Sequence, residues 1–449
     1  MPPDHIRKEM SEKMNEKKNS AQNVAESLEK LFDNGNYTEI GAHVTRHAET
    51  EEYEGVVCGY GPIDGRLVFA FAQDTSRMKG AFDSRSAKKI DNLYELALKS
   101  GAPVIGVFDC SGSVVTEGAS LLGSIGKLFS CISLASGEIP QLALVKGTCT
   151  GSLAVAASMF DFTVSVKGAE LSFGSRFATE ADDALAAKNG IAAIETDTED
   201  GAYAAIRALV TALPDSSDIG PAIADETDLN RATGIASVTD AKTLISALSD
   251  NGSFIELYEK MGGGTTVGFA PVAGRYVGMV SAFGEINAEG ARKAADFIGF
   301  CSAFSLPIIT LINSEGFEVS EKGEDAGIAS AIAYLAKVYR ESCGAKISAV
   351  VGSACGAILP VFGTREGAAD VSFALEDAVI SPLTPAQAVA FLMNDKITAD
   401  KSRAELETEW KETEASAEKA AFGGDIDFIL SLDELRPRIC GALLMLERD

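Results

Sequence analysis

Histidine is nearly missing from this chain of 449 residues: there are three, His5, His43 and His47, and none follows. A Ser-His-Asp or Cys-His nucleophile and a multi-histidine metal site are thereby excluded from the main body. Chemistry there has to run on backbone dipoles, carboxylates, thiols, lysines or a cofactor. The 8 cysteines (Cys58, Cys110, Cys131, Cys149, Cys301, Cys343, Cys355 and Cys440) never form a CxxC pair. That argues against a zinc ribbon or a redox motif. Positive charge is also short, with 39 Lys+Arg against 65 Asp+Glu and a net charge of −26. So acidic a surface repels phosphate backbones, and no nucleic-acid partner is expected. Long apolar runs are missing as well. The longest weakly polar stretch, Ile347 to Gly363, is short for a membrane span and is broken by Ser, Gly and Pro360. The chain starts Met1-Pro2-Pro3-Asp4, a charged stretch rather than an apolar one. The cysteines are therefore expected to be buried free thiols of a cytoplasmic protein.

What is present is a repeat. Asp33-Asn34-Gly35 recurs as Asp250-Asn251-Gly252, and Asp64-Gly65-Arg66 as Ala273-Gly274-Arg275. Ser86-Ala87-Lys88-Lys89 returns as Gly290-Ala291-Arg292-Lys293, and Ala102-Pro103-Val104-Ile105 as Leu306-Pro307-Ile308-Ile309. Gly147-Thr148-Cys149-Thr150-Gly151-Ser152 returns as Gly352-Ser353-Ala354-Cys355-Gly356-Ala357. Five matches in one order, at offsets of 204 to 217 residues, mean two copies of one domain. The expected boundaries are an N-terminal helical arm over 1–32, which reads as solvated, a first domain over 33–245 and a second over 246–449.

Each copy reads as a strand pair around a Gly-Arg turn, then an amphipathic helix, a buried strand, a polar glycine loop, a second helix and another buried strand. That alternation predicts an α/β class with right-handed βαβ units. Pro214 to Asp218 reads as a surface linker, the segment from Lys396 onward as helical, and Gly262-Gly263-Gly264 as a flexible lead into a strand. The informative places are the strand-to-helix turns, Thr148–Ser152 and Ser353–Ala357, beside the loops Asp109–Ser113 and Asn313–Phe317. A free N–H at a helix start plus one from the neighbouring loop makes a two-donor oxyanion hole. Cys149 and Cys355 lie beside these turns, but with no histidine to activate them they read as structural. Glu117, Glu315 and Glu318 are candidate bases or solvated loop charges. Arg77, Lys79, Arg85, Lys88 and Lys89 form the one basic cluster, suited to an anionic ligand.

Several stretches carry a resemblance to a known family. They are Gly61-Pro62-Ile63-Asp64-Gly65-Arg66 with Phe71-Ala72-Gln73-Asp74, Leu98-Lys99-Ser100-Gly101-Ala102-Pro103, Leu134-Ala135-Ser136-Gly137-Glu138-Ile139-Pro140-Gln141 and Ile426-Asp427-Phe428-Ile429 with Arg436-Pro437-Arg438. From about Ser27 to Leu446 the chain resembles the carboxyltransferase (β) subunits of biotin-dependent acyl-CoA carboxylases and related decarboxylases. The resemblance implies two tandem crotonase-like domains, each a β-β-α superhelix of repeated units. The first would serve the acyl-CoA and the second the biotin. It implies that biotin, on a separate carrier protein, brings CO2 to a CoA thioester without a metal, its ureido nitrogen taking the α-proton.

Carried over position by position, the acyl-CoA hole would use the backbone N–H groups of Gly112, Ser113, Gly151 and Ser152. The biotin hole would use those of Gly316, Phe317, Gly356 and Ala357. The basic cluster, Arg77 to Lys89, would take the CoA tail. Implied partners are a biotin carboxyl carrier protein, a biotin carboxylase or membrane decarboxylase subunits, and further copies of the chain in a dimer-based oligomer such as a hexamer. The sequence departs from the family at Ser152 and Ala357, where a second glycine is usual, and at Val114, where arginine is usual. A left-handed backbone at those two glycine positions would strain the new side chains. Three readings follow: a carboxylase component, a decarboxylase subunit working in reverse, and a non-catalytic assembly subunit.

Overall fold

Two eight-stranded sheets of identical design arise from the two copies. The structure is a computed structural model and describes residues 26–42, 45–47, 52–53, 55–76, 78–110, 112–174, 185–225, 228–363, 367–398 and 400–446. Described residues up to Ile219 form one compact unit and those from Gly220 a second. The first sheet comprises β1 (Thr38–Ile40), β2 (Val56–Ile63), β3 (Arg66–Gln73), β4 (Val104–Cys110), β5 (Gln141–Thr150), β6 (Phe162–Val166), β7 (Glu170–Ser172) and β8 (Ile194–Thr196). Its order is β1-β2-β3-β4-β5-β6-β8, with β7 beside β5. The second comprises β9 (Ile255–Leu257), β10 (Thr265–Val272), β11 (Arg275–Ile286), β12 (Ile308–Phe317), β13 (Lys346–Cys355), β14 (Val371–Leu375), β15 (Val379–Ser381) and β16 (Phe428–Leu430). It runs β9-β10-β11-β12-β13-β14-β16, with β15 beside β13. The first two pairings of each sheet are antiparallel and the rest parallel.

The helices α1 (Ser84–Ser100), α2 (Ala119–Ala135), α3 (Ser152–Ser158), α4 (Glu199–Ala212), α5 (Ala241–Leu248), α6 (Ala288–Ala303), α7 (Ile328–Glu341), α8 (Ile358–Phe362) and α9 (Leu432–Leu446) carry the repeat, and α1, α2, α6 and α7 fall where the apolar spacing put them. Parallel strands covered by helices are buried on both faces, and β4 from Val104 to Phe108 and β12 from Ile308 to Ile312 are buried without a break for that reason.

Polar side chains explain why particular motifs recur. Asp33 accepts the N–H groups of Asp64 and Gly65 in the β2–β3 turn, at 3.2 and 3.0 Å. Asp250 does the same for Ala273 and Gly274 in the β10–β11 turn, at 3.1 and 2.8 Å. Arg207 of α4 pairs with Asp33, and Arg436 of α9 with Asp250. At the same end of each sheet, Asp161 accepts from Gln141 N and Asp370 from Lys346 N, at 2.7 and 2.8 Å.

Burial pushes the Asp161 carboxyl up to about 7, against the single lowering influence of its bond from Gln141 N. The native state thus holds a proton between about pH 4 and pH 7 that the unfolded chain has released, so stability falls as pH rises through that window. Asp161→Asn keeps the acceptor and removes the charge. It should raise the melting temperature by a few degrees at pH 8 and leave it nearly unchanged near pH 4, as thermal melts at the two pH values would show.

The structure corrects several sequence expectations. Residues 26–31 are helical and bury Leu28 and Leu31, with Phe32 next to them, so the described end of the arm is packed rather than solvated. Residues 1–25 lie outside the described part. The stretch Pro214–Asp218 is pinned, with Asp215 paired to Arg66 and Ser216 buried. Residues 220–245 belong to the second unit, where Ala224 N bonds Gly274 O, Tyr276 N bonds Ala222 O and Thr233 accepts from Arg436 N. Gly262 and Gly264 are close-packed, since a Cβ there would come within 2.5 Å of Gly290 N and 2.2 Å of Glu285 O. The C-terminal segment holds a strand, β16, among its helices.

Candidate active site

A break in register falls at the same place in each sheet. Between β4 and β5 the pairing runs regularly to Phe108↔Val145 and resumes at Cys110↔Cys149. Between β12 and β13 it runs to Ile312↔Val350 and resumes at Ser314↔Ala354. Above the break β5 leaves β6 for β7, and β13 leaves β14 for β15.

A side chain bridges each gap. Asp109 Oδ1 accepts from Thr148 N at 3.2 Å, and Asn313 Oδ1 from Ser353 N at 3.0 Å. The residue beneath must be glycine: a Cβ on Gly147 or Gly352 would lie 2.1 or 2.2 Å from that oxygen. One residue further on, Cys110 Sγ accepts from Gly112 N at 3.3 Å, and Ser314 Oγ from Gly316 N at 3.2 Å. These bridging and clasping side chains carried no role in the sequence reading. The signal for them was their common offset from one copy to the other.

Four of the eight N–H groups expected to line the holes are therefore already engaged. Gly112 and Gly316 donate to the clasping side chains. Gly151 N donates to Phe173 O at 3.1 Å and Gly356 N to Ser381 O at 3.0 Å. The residue following each is placed differently. Val114 N bonds Phe82 O and Glu318 N bonds Ile286 O. Successive N–H groups of extended backbone face opposite ways, so Ser113 N–H faces β5 and Phe317 N–H faces β13. Ser152 opens α3, and Ala357 is the N-cap of α8. N–H groups at those positions have no partner within the helix. The geometry thus points to one donor pair per unit, Ser113 with Ser152 and Phe317 with Ala357. Among the described residues, no atom beyond the chain neighbours lies within 4 Å of where a side chain would begin at Gly112, Gly151 or Gly316, and at Gly356 the nearest is Pro382 O at 3.9 Å.

The profile of the carboxyl transferase domain family matches residues 15–423. The chain belongs to this family. It is 29% identical to the carboxyltransferase subunit of propionyl-CoA carboxylase from Haloferax mediterranei, over 94% of this chain and 90% of that one. It is 30% identical to methylmalonyl-CoA decarboxylase subunit alpha from Veillonella parvula, over 94% and 89%. Among solved structures it superposes on transcarboxylase 12S, whose crystal structure is described as a hexamer assembly with hydrolysed methylmalonyl-CoA bound. The TM-score is 0.87 and the identity 25%, covering 95% of this chain and 90% of that one. Both units of this carboxyl transferase have the crotonase-like fold.

The family departures become explicable. The left-handed residue of each turn is the first one, Gly151 at φ 63° and Gly356 at φ 61°. Ala357 sits at φ −74° and Ser152 lies inside a helix, so both accept a side chain without strain. Val114, in place of the usual arginine, is buried. Cys149 and Cys355 are buried too; burial pushes the first thiol well up and the second to about 11, so neither is a thiolate near neutral pH. Seven cysteines are buried and free, whereas Cys343 is exposed.

Glu117 is committed to the start of α1, accepting from Ser84 N and Oγ at 2.9 Å each. Glu318 accepts from Ser320 Oγ, and Glu315 is exposed. The basic cluster splits. Arg85 and Lys88 lie on the exposed side of α1, and Lys79 is exposed at φ 53°. Gly80, next to Lys79, packs so tightly on the Asp109 carbonyl that a Cβ would come within 2.4 Å. Lys79 thus sits beside the C-terminal end of β4. Arg77 lies outside the described residues. Lys89 is no surface residue: it is 7% exposed, with Nζ on Val56 O at 3.0 Å and Glu39 at 3.9 Å. Its counterpart Lys293 is buried in the same way on Met261 O, so this lysine belongs to the architecture of both units. Among the described residues no helix is long and apolar enough to cross a membrane, and no group of three His, Cys, Asp or Glu is placed to hold a metal ion.

Proposed function

We propose that this carboxyl transferase moves a carboxyl group between biotin and the α-carbon of a short acyl-CoA. The observation that supports the reading is the register break beside a strand-to-helix turn that recurs at equivalent places in both units, where such a donor pair would stand. The reaction has two oxygens on which negative charge grows, the thioester oxygen and the ureido oxygen of biotin. Ser113 and Ser152 N–H would hold the first, Phe317 and Ala357 N–H the second. Fixed backbone donors aimed at such an oxygen strengthen as charge develops, which is how they lower the barrier. The open face before Phe317 and Ala357, with two donors and no competing acceptor side chain on those residues, fits a ureido carbonyl. Biotin, when bound, supplies the carboxyl group and its own basic nitrogen, so the chain need furnish no imidazole.

Lys79, Arg85 and Lys88 are proposed to attract the anionic part of CoA to a surface whose net charge of −26 would otherwise repel it. A separate biotin carrier, a biotin carboxylase and a homo-oligomer are the proposed partners; the transcarboxylase 12S hexamer supports the last. A second reading, decarboxylation of a malonyl-type CoA ester, is favoured by the likeness to methylmalonyl-CoA decarboxylase subunit alpha.

The test supplies purified protein and free biotin with malonyl-CoA or methylmalonyl-CoA, and follows acetyl- or propionyl-CoA by chromatography. Biotin-dependent product formation is expected. No biotin-dependent turnover of either ester, by protein that still binds CoA esters, would overturn the reading in favour of an assembly subunit.

A further inference from the structure

Cys110, the last residue of β4, and Ser314, within β12, do the same work with different chemistry. Cys110 Sγ accepts from Gly112 N and donates to Gly112 O, closing a small ring around the first loop residue at both of its polar ends. Ser314 Oγ lies at 3.2 Å from both Gly316 N and Gly316 O, and also contacts Gly284 O on the neighbouring strand. Side chains of this type bonding the N–H two residues on form a local turn that competes with regular pairing.

The turn has a consequence for the next residue. Gly112 and Gly316 are held at φ 131° and 150°, a region that side chains rarely adopt. Each clasp occupies the glycine N–H. The following N–H, of Ser113 or Phe317, then faces the adjacent strand, where the second donor stands. Burial pushes the Cys110 thiol up to about 11, so it keeps its proton and can donate to Gly112 O throughout the neutral range. Beside each clasp, Asp109 or Asn313 ties the same strand end to the strand carrying the second donor. One residue thus sets the direction of the first donor, and its neighbour sets the spacing to the second.

We infer that Cys110 and Ser314 are the positioning residues of the two oxyanion holes. This rests on the proposed carboxyl transfer and adds which side chains aim its donors. Neither residue touches a reacting atom, and a thiol and a hydroxyl are interchangeable in the role.

The test compares Cys110→Ser and Cys110→Ala, with Ser314→Cys and Ser314→Ala as the second pair. The readouts are steady-state kinetics with methylmalonyl-CoA and biotin, and amide hydrogen exchange of the peptides covering 108–118 and 312–320. Each exchange of thiol for hydroxyl is expected to keep kcat within about threefold of wild type and leave exchange unchanged. Each alanine variant should lose about tenfold or more in kcat with KM for the CoA ester unchanged, and its loop peptide should exchange faster, a loss of the size expected when one hole donor is misaimed. Alanine variants with wild-type kcat and exchange would overturn the inference, as would Cys110→Ser failing as badly as Cys110→Ala. If wild-type protein shows no biotin-dependent turnover, the carboxyl-transfer reading fails, and hydrogen exchange alone still decides whether the clasps hold the loops.

Discussion

Replacing Ser152 by proline should lower kcat about 10²–10³-fold while leaving the protein folded, the loss typical of deleting one oxyanion donor. The substitution removes one backbone N–H and little else. Ser152 is the first residue of α3, where proline is well tolerated because its fixed φ suits the helix start and the missing N–H had no partner within the helix. Ala357→Pro is the matching experiment in the second unit. Ala357 already sits at φ −74°, inside the range that proline imposes. Both variants should show melting temperatures within a few degrees of wild type, so that the kinetic loss is assigned to the missing donor. Ser152→Ala is the control, and the second unit supplies its rationale: alanine stands at the equivalent position there, so the construction does not need the hydroxyl. A proline variant with wild-type kcat would remove that N–H from the hole. An alanine variant as impaired as the proline one would move the donor from backbone to side chain.

Much of this was legible in the sequence because the repeat doubles each signal. The order of strands and helices, the two strand-to-helix turns and the inertness of Cys149 all follow from apolar spacing and from the missing histidines. The choice of donors was not legible. A small-residue turn announces that backbone is exposed, but which N–H is free depends on bonds donated to Phe173 O and Ser381 O, about 22 to 25 residues further along the chain. Lys89 shows the same limit from the other side. By type it is a basic residue at a helix start, yet its environment is set by the Val56 carbonyl 33 positions away. The recurrence of lysine at 293 was the available clue, since a charge kept at one place in both copies serves what the copies share, their packing. The N-terminal segment misled for a related reason: alternating charge hides the short apolar set Leu28, Leu31 and Phe32, which only the described helix brings onto one buried face.

Asp250→Ala should be the most damaging single substitution for stability, costing about 3–5 kcal/mol, the usual loss when one partner of a buried ion pair is removed. The carboxylate and guanidinium are 2% and 0% exposed and stand 2.7 Å apart. Arg436 is further held by Leu248 O at 3.1 Å and Asp228 O at 2.7 Å, so without Asp250 it stays in place as a buried charge that has lost the carboxylate 2.7 Å away. The same mutation orphans the N–H groups of Ala273 and Gly274 in the β10–β11 turn. The first unit provides the internal control. Asp33 makes the equivalent bonds to Asp64 N and Gly65 N and pairs with Arg207 at 2.6 Å, but these two side chains are 24% and 27% exposed. Water can replace part of what is lost, and Arg207 keeps Asp64 as a second partner at 2.6 Å. Asp33→Ala should therefore cost only about 1–2 kcal/mol, nearer the range of hydrogen bonds to charged groups at a solvated site. The single tryptophan, Trp410, lies in the second unit and makes the comparison measurable. In guanidinium chloride, Asp250→Ala should move the Trp410 fluorescence transition to clearly lower denaturant, whereas Asp33→Ala should produce a smaller shift in far-ultraviolet circular dichroism. Equal losses at the two sites would mean that burial does not set the strength of this clamp, and that the shared turn geometry does.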